Sequence, residues 1–541
     1  MTVPFVSRAT VMSSRGVAAS TSPLAASTGI RIMSEGGNAF DAAIAMAAAE
    51  TVTVPSMCGL GGEVFAIFYE AKTGKVKGLT STGAAPKGAT PAFFRSKGYT
   101  HMPEDGPLAA SPPGEVAAYQ FFVDNLCTLP LERLLGPAIG YAEDGYPVTP
   151  RIARLFDTSF PRVSKIPSLA KIFLRNSKPY GAGEILVQKD LGSSLRRVAK
   201  GGAEEFYKGQ LASDIAKRFQ EAGGLITEET LAAHEVEVYE PLSTEYRGYT
   251  VVENRPPSQG MLILEMLNII EGFDLAGMGH LSPQSIHTMI EAKKLAFADR
   301  NAYLGDTKSE ELPLDVLISK AYANNRRSLI NADKASFEVG QGSIQPLGKD
   351  TSYFCVADGE GNAVSFIHSL YQGFGSGFVA EGTGIVFNAR QRGFRLEEGH
   401  PNTVTPGQRP MHTLNAYMVL KDNFPVLVGG TPGADFQPQG NAQMITGVLD
   451  YGLSPQEAID APRWSSIPGT DPPTLGDPEV VQMEPRMPQE IAVELESKGH
   501  QVQWGQEGIS HGIVQLIQMD KATGILKAGS DPRGDGHAAA L

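Results

Sequence analysis

Cysteine is scarce here: Cys58, Cys127 and Cys355 are the only three in 541 residues, and none stands in Cys-x-x-Cys spacing. That excludes a disulfide framework and a cysteine zinc site, and nothing demands an oxidising compartment. The ten histidines are scattered, without a His-Glu-x-x-His pair, so neither a metal nor another cofactor is expected. Basic charge is also short, with 46 Lys and Arg against 59 Asp and Glu and a net charge of -13. This balance, with no long basic run, argues against nucleic acid or an anionic membrane as partner and leaves small molecules. The longest apolar stretch, AFDAAIAMAAAETVTVP at 39–55, is broken by Asp41 and Glu50. It falls short of the roughly 20 residues that span a bilayer and reads as a buried helix. The opening MTVPFVSRATVMSSRG lacks the apolar core of a secretory signal, so a cytoplasmic protein is expected.

What is present is material for a large core, 42% hydrophobic and 19% charged. Helical periodicity dominates up to about residue 335, with helices expected at 39–53, 115–125, 191–199, 210–222, 261–270 and 283–303. Strands rich in Val, Ile, Phe and Tyr lie between them, at 63–70, 75–80 and 249–253. From about 350 the texture turns to strands and glycine turns, at 353–357, 363–368, 384–388, 416–420 and 426–429, interrupted by a helix pair at 437–451 and 454–460. No repeat and no low-complexity tract occurs. Segment 331–350, NADKASFEVGQGSIQPLGKD, is polar and glycine-bearing and reads as an exposed loop that ends at Thr351.

A threonine that follows an exposed loop and opens a strand, as in GKDTSYFCVADGEGNAVSF at 348–366, has two readings. One is a surface strand residue, since threonine favours strands. The other is an N-terminal nucleophile released by self-cleavage between Asp350 and Thr351, whose own α-amine then activates the hydroxyl without a histidine.

Residues 351–377, TSYFCVADGEGNAVSFIHSLYQGFGSG, resemble the small-subunit opening of the γ-glutamyltranspeptidase family. EGGNAFDAAIAMA at 35–47, GLGGE at 59–63, RPPSQGMLILEMLNIIEGFDL at 255–275, DYGLSPQEAIDAPRW at 450–464 and GSDPRGDG at 529–536 resemble further family segments in family order. Separated matches in order are more specific than any single motif. The resemblance implies an α/β fold, the four-layer αββα sandwich of the N-terminal-nucleophile (Ntn) hydrolases. It also implies one precursor cut into a large chain 1–350 and a small chain 351–541 that stay interlocked, each the other's partner, with a higher oligomer possible.

The same resemblance assigns roles residue by residue. Thr351 matches the nucleophile, Ser369 the second hydroxyl that holds the nucleophile's amine, and the backbone N–H groups of Gly433 and Ala434 the oxyanion hole. The positions that grip a γ-glutamyl head group depart from the family. Thr82 stands where an arginine takes the α-carboxylate, Tyr371 replaces an asparagine, Gly393 replaces the acid for the α-amine, and His412–Thr413 replace a serine pair. Arg390 and Arg392, with Tyr371 and His412, offer replacement donors, or else form a solvated basic loop. The pattern resembles the divergent branch with oxamate amidohydrolase and the glutathione hydrolase-like proenzymes, which implies hydrolysis of a small carboxylate-bearing amide. Alternatives are a glutathione hydrolase or γ-glutamyl transferase of relaxed specificity, a glutaryl-cephalosporin-type acylase, or an unprocessed, non-catalytic binding protein. Arg533–Asp535 reads as a family turn rather than an adhesion motif, GFGSG at 373–377 as a strand-connecting turn, and no Ser–His–Asp nucleophile elbow is expected.

Overall fold

The structure, a computed structural model, describes residues 7–306, 312–336, 350–467, 479–505 and 512–541. Two seven-stranded antiparallel sheets form its centre. The first runs His537–Ala540, Gly16–Ser20, Asp350–Asp358, Ala363–Tyr371, Glu63–Glu70, Lys75–Ser81 and Glu237–Tyr239. The second runs Val11–Ser13, Leu526–Ser530, Gln515–Met519, Phe424–Gly430, Tyr417–Lys421, Tyr249–Glu253 and Leu242–Tyr246. Each sheet therefore mixes strands from both sides of the Asp350–Thr351 bond.

Side chains alternate across a strand, and that period sorts the core into layers. In Glu63–Glu70, Phe65 and Ile67 join Tyr353, Cys355 and Ile367 from neighbouring strands and meet Met418, Val428 and Ile517 of the facing sheet. Their alternates Val64, Ala66 and Phe68 point outward with Phe354, Val356 and Phe366 and pack against the Ala39–Thr53 helix. Beyond the second sheet, Val251, Val419, Leu427 and Leu516 pack on Ile263 and Leu267 of Met261–Ile270 and Ile445 of Phe436–Leu449. Helix, sheet, sheet and helix make the four αββα layers of the Ntn-hydrolase fold.

The Ala39–Thr53 helix is buried at all fifteen positions, Asp41 and Glu50 included. Alanine permits this, since its methyl lets neighbouring helices and the sheet approach from every side. Asn38 caps its start in a box with Asp41. The carboxylate of Asp41 also accepts from the backbone N–H groups of Thr128 and Leu129, so its burial is satisfied. Among the described residues, no helix is long and apolar enough to cross a membrane.

Three expectations need correction. The helix expected at 191–199 runs over Lys189–Tyr207, with Gly202 at φ 60° marking a kink, because the polar turns beyond the apolar face are helical too. The strand expected at 384–388 shrinks to Ile385–Val386, since Asn388 bonds to Ser111 and Gly61 instead of continuing a ladder. The strand at 353–357 extends over Asp350–Asp358, which makes Thr351 its second residue. Most of the loop expected at 331–350, residues 337–349, lies outside the described residues.

Candidate active site

Thr351 sits at a break in strand register. Asp350 pairs with Tyr371 and Ser352 with His368, so two residues, Ser369 and Leu370, oppose Thr351 in a β-bulge. The bulge re-aims the chain. Leu370 N–H donates to Met57 O and its carbonyl accepts from Ala389 N–H, bonds to loops rather than to the partner strand. Thr351 and Ser369 are left facing one another: Thr351 Oγ1 donates to Ser369 Oγ at 3.2 Å, and Ser369 Oγ accepts from Tyr371 N–H at 2.8 Å. Both residues are buried, as is Tyr371, whose φ of 87° is the left-handed backbone that such a bend demands. Gly62 allows the close packing, since a Cβ there would meet Ser369 O at 2.8 Å. Ser369→Ala is expected to lower kcat at least tenfold with KM within about twofold, because a lost orienting bond acts on the reacting hydroxyl and not on substrate affinity. Steady-state kinetics check this.

The loop carrying Gly433 and Ala434 leaves the end of strand Phe424–Gly430. Gly430 approaches so closely that a Cβ would strike the ring of Tyr353 at 2.4 Å, which sets this strand end over the strand of Thr351. Gly433 has φ 130° and Ala434 φ 51°. Their carbonyls bond forward, to Phe436 N–H and Gln437 N–H, as the 14-residue helix Phe436–Leu449 begins. The two N–H groups thus lie at a helix N-terminus, where backbone dipoles favour a negative charge. Gln259 Nε2 braces the loop by donating to Ala434 O at 3.2 Å, and Arg300 pairs with Asp435 at 2.7 Å.

Glu63 organises the neighbouring polar cluster. It is the direct cross-strand partner of Ser369 and points to the same face. Its carboxylate accepts from Thr82 Oγ1 at 2.6 Å, Ser111 Oγ at 2.9 Å and Arg390 Nε at 2.5 Å. Burial pushes the carboxyl of Glu63 upward, against the pull of Arg390, Thr82 and Ser111. Arg390 is only 1% exposed, so the solvated basic loop is ruled out for it. Its guanidinium lies over the ring of Tyr371 at 4.6 Å, and its Nη1 and Nη2 are buried without a partner among the described residues. Arg392 turns aside to Glu104 and Gln372 and stays 6.0 Å from the same ring.

His412 closes the cluster. Thr82 gives its proton to Glu63, so its oxygen accepts from His412 Nε2 at 2.7 Å. Burial, with the positive Arg390 and Arg409 nearby, holds the imidazole well below the ordinary histidine range and therefore neutral. His412 N–H donates to Pro257 O and Gln259 N–H to His412 O, so the 255–260 segment clamps this loop. Thr413 is buried and contributes its carbonyl to Gln259 Nε2 at 2.8 Å. Gly393 is a tight position for the absent acid: a Cβ there would stand 3.0 Å from Met411 O and 3.2 Å from Pro410 Cβ.

Glu63, Ser111 and Asn388 are not evident from sequence. Asn388 Oδ1 accepts from Ser111 N–H and Arg390 N–H at 3.0 Å, and its Nδ2 donates to Gly61 O at 2.9 Å, which brackets Arg390 against the GLGGE turn. The available signal is an acid opening an otherwise apolar strand, EVFAIFYE. One Gly-x-Ser-x-Gly match does occur, GISHG at 508–512. Most of it lies outside the described residues, but the next element in the chain is the strand Gln515–Met519 and not the helix that a nucleophile elbow requires. The side chain of Arg533 is only 8% exposed and pairs with Glu484 and Asp531, unlike an exposed adhesion motif. Among the described residues, two donor sets have ligand atoms close enough to share a metal, Glu50–Cys58–His368 and His287–Glu291–His500. Both already bond internally: each nitrogen of His368 meets a carboxylate, and His287 Nδ1 stands 2.8 Å from His500 Nε2.

Two facing sheets clad by helices, with a threonine hydroxyl near the head of a central strand, are the arrangement that the resemblance to the Ntn hydrolases implies. The model of the family described as Gamma-glutamyltranspeptidase matches residues 25–541. The chain is 37% identical over 521 residues to the glutathione hydrolase-like YwrD proenzyme of Bacillus subtilis (strain 168), covering 96% of this chain and 97% of that one. It is 32% identical over 539 residues to the oxamate amidohydrolase proenzyme of Klebsiella pneumoniae, covering 98% and 99%. The crystal structure of cephalosporin acylase from Bacillus halodurans superposes with a TM-score of 0.91 at 37% identity, covering 100% of this chain and 98% of that one. The chain belongs to the γ-glutamyltranspeptidase family, and with it to the amide hydrolases and acyltransferases that use an N-terminal threonine.

Proposed function

We propose that this protein is a proenzyme that cuts itself between Asp350 and Thr351 and then hydrolyses small amides whose acyl group carries a carboxylate. In the precursor, Thr351 Oγ1 attacks the carbonyl carbon of Asp350. The C–N bond breaks as the amide nitrogen of Thr351 takes a proton, leaving an ester on the threonine oxygen. Water resolves the ester to the Asp350 carboxylate and a free α-amine on Thr351. In the mature enzyme that amine takes the hydroxyl proton as Oγ1 attacks the substrate carbonyl. The oxyanion meets the N–H groups of Gly433 and Ala434. Collapse expels the amine or ammonia with a proton, and water then hydrolyses the acyl ester.

The observation that carries the substrate class is Arg390. A guanidinium this deeply buried, with Nε fixed by Glu63 and both terminal nitrogens unpartnered among the described residues, has two donors to offer a carboxylate in the bidentate geometry that arginine favours. Glu63 and Ser369 are cross-strand partners, so such a carboxylate would lie close to the nucleophile. The reading accords with relatives named oxamate amidohydrolase and cephalosporin acylase. A γ-glutamyl head group finds less. Gly393 supplies no acid, and Thr82 is spent on Glu63 and His412. A substrate ammonium buried there would be desolvated without a counter-ion.

The test compares kcat/KM for oxamate, a glutaryl anilide and a γ-glutamyl anilide. The two anilides differ only by the amino group, and the glutaryl compound is expected to be the better substrate. A tenfold preference for the γ-glutamyl compound, about 1.4 kcal/mol, would overturn the assigned specificity and leave the nucleophile untouched.

A further inference from the structure

Thr351 and Ser369 face the space between the sheets, so the residues beside them point the other way, into the helical layer. Ser352 and His368 are direct cross-strand partners, and both end on one carboxylate, Glu50 of the Ala39–Thr53 helix. Ser352 Oγ donates to Glu50 Oε2 at 2.6 Å, and His368 Nε2 stands 2.7 Å from the same oxygen. Glu50 Oε1 accepts from Ser20 Oγ at 2.5 Å and Thr21 Oγ1 at 3.2 Å. On the far side, His368 Nδ1 stands 2.8 Å from Glu115 Oε1, which also accepts from Tyr119 OH at 2.8 Å. Glu115 is the first residue of its helix, where the dipole favours a carboxylate. Glu50, His368 and Glu115 are all fully buried.

With a carboxylate on each ring nitrogen, His368 donates from both and is an imidazolium. Burial alone would depress its pKa, but the Cys58 sulfur and the Glu115 carboxylate outweigh burial and hold it well above the ordinary range. A buried histidine wedged between two carboxyl groups is an expensive way to fill a layer whose adjoining positions are Phe354, Val356 and Phe366, because well-packed apolar residues usually serve stability as well or better. Directional bonds do what apolar contacts do not: they fix register. The bulge at Thr351 interrupts the strand pairing at the one place where the hydroxyl must face Ser369, and a slip of one residue would turn that hydroxyl to the opposite face.

We propose that Glu50, His368 and Glu115 are positioning residues that clamp Ser352 and position 368 from beneath, and so hold the Thr351 hydroxyl in line for attack. The proposal rests on reading Thr351 as the nucleophile.

Ser352→Ala tests it with least disturbance. It removes one hydroxyl and leaves Glu50 its bonds to Ser20, Thr21 and His368. The mature variant is expected to lose at least tenfold in kcat per titrated active site, with KM within twofold and thermal midpoint nearly unchanged. Glu50→Gln, which breaks the clamp at its centre, is expected to lose more. Thr351→Ala is assayed alongside. A kcat within threefold of wild type in Ser352→Ala, or a loss that only follows the fraction of folded protein, overturns the clamp while an inactive Thr351→Ala leaves the nucleophile standing. An active Thr351→Ala overturns both.

Discussion

Thr351→Ala is expected to stay a single chain of 541 residues with no measurable amidase activity, whereas the wild type is expected to yield two chains, the smaller beginning TSYFCV. The expectation follows from where the hydroxyl lies. Its bond to Ser369 Oγ at 3.2 Å sets it on the inner face of the sheet. The nearest strand histidine, His368, is turned to the outer face and held by Glu50 and Glu115. Among the described residues the hydroxyl bonds to Ser369 and not to an imidazole, which accords with the proposed activation by the α-amine that self-cleavage would expose. Removing the hydroxyl therefore removes maturation and turnover together. Loss of a nucleophile in hydrolases that act as a coupled unit costs on the order of 10⁴-fold or more in kcat. Thr351→Ser, which keeps the hydroxyl, is expected to process and to retain part of the activity. A denaturing gel with N-terminal sequencing of the small band checks the first statement, and an active enzyme that never splits would refute it.

Sequence alone carries some of this architecture and not the rest, and the division has a physical basis. Ala39–Thr53, Glu115–Asn125, Met261–Ile270 and Pro283–Tyr303 have the bounds that periodicity and caps indicate, because their local preferences and their burial agree. Gly384–Asn388 reads as a full strand because its residues are mostly apolar, yet its last residue is spent on Ser111, Gly61 and Arg390. Of the positions carried over by resemblance, Thr351 and Ser369 lie at adjoining strand ends, and Gly433 and Ala434 lie in the loop that leaves Phe424–Gly430, a strand end packed on Tyr353. The groups that escape such a reading are acids whose partners are remote in the chain. Glu63 meets Arg390 across 327 positions, and Glu50 meets His368 across 318. Neither pairing has a spacing or a motif. Each exists only once the sheet sets the strands side by side, and an acid in a mostly apolar strand or helix is the trace it leaves.

Arg390 carries the second large effect, and the choice of replacement decides whether the result can be read. Arg390→Ala would strand Glu63 as a buried, unpaired acid, at a cost of about 3–5 kcal/mol that falls on folding and obscures any effect on substrate. Pairing Arg390→Gln with Glu63→Gln removes both charges together and leaves amides of similar length to bond each other, Thr82 and Ser111. In that background, an amide whose acyl group ends in a carboxylate loses two charge-assisted hydrogen bonds, each worth about 1.5–3 kcal/mol. At about 1.4 kcal/mol per tenfold, kcat/KM for oxamate or a glutaryl anilide is expected to fall by about 10²–10⁴. A neutral butyryl anilide, which never met the guanidinium, is expected to change by less than about threefold. Arg390→Lys sharpens the comparison, because it keeps the charge and can still pair with Glu63 but cannot present two donors in a plane. It is expected to lie between wild type and the double variant for carboxylate substrates and to match wild type for the neutral one. Equal losses on charged and neutral anilides would mean that Arg390 and Glu63 only support the fold beside Ser369, and the carboxylate anchor would then have to be sought elsewhere on the inner face of the sandwich.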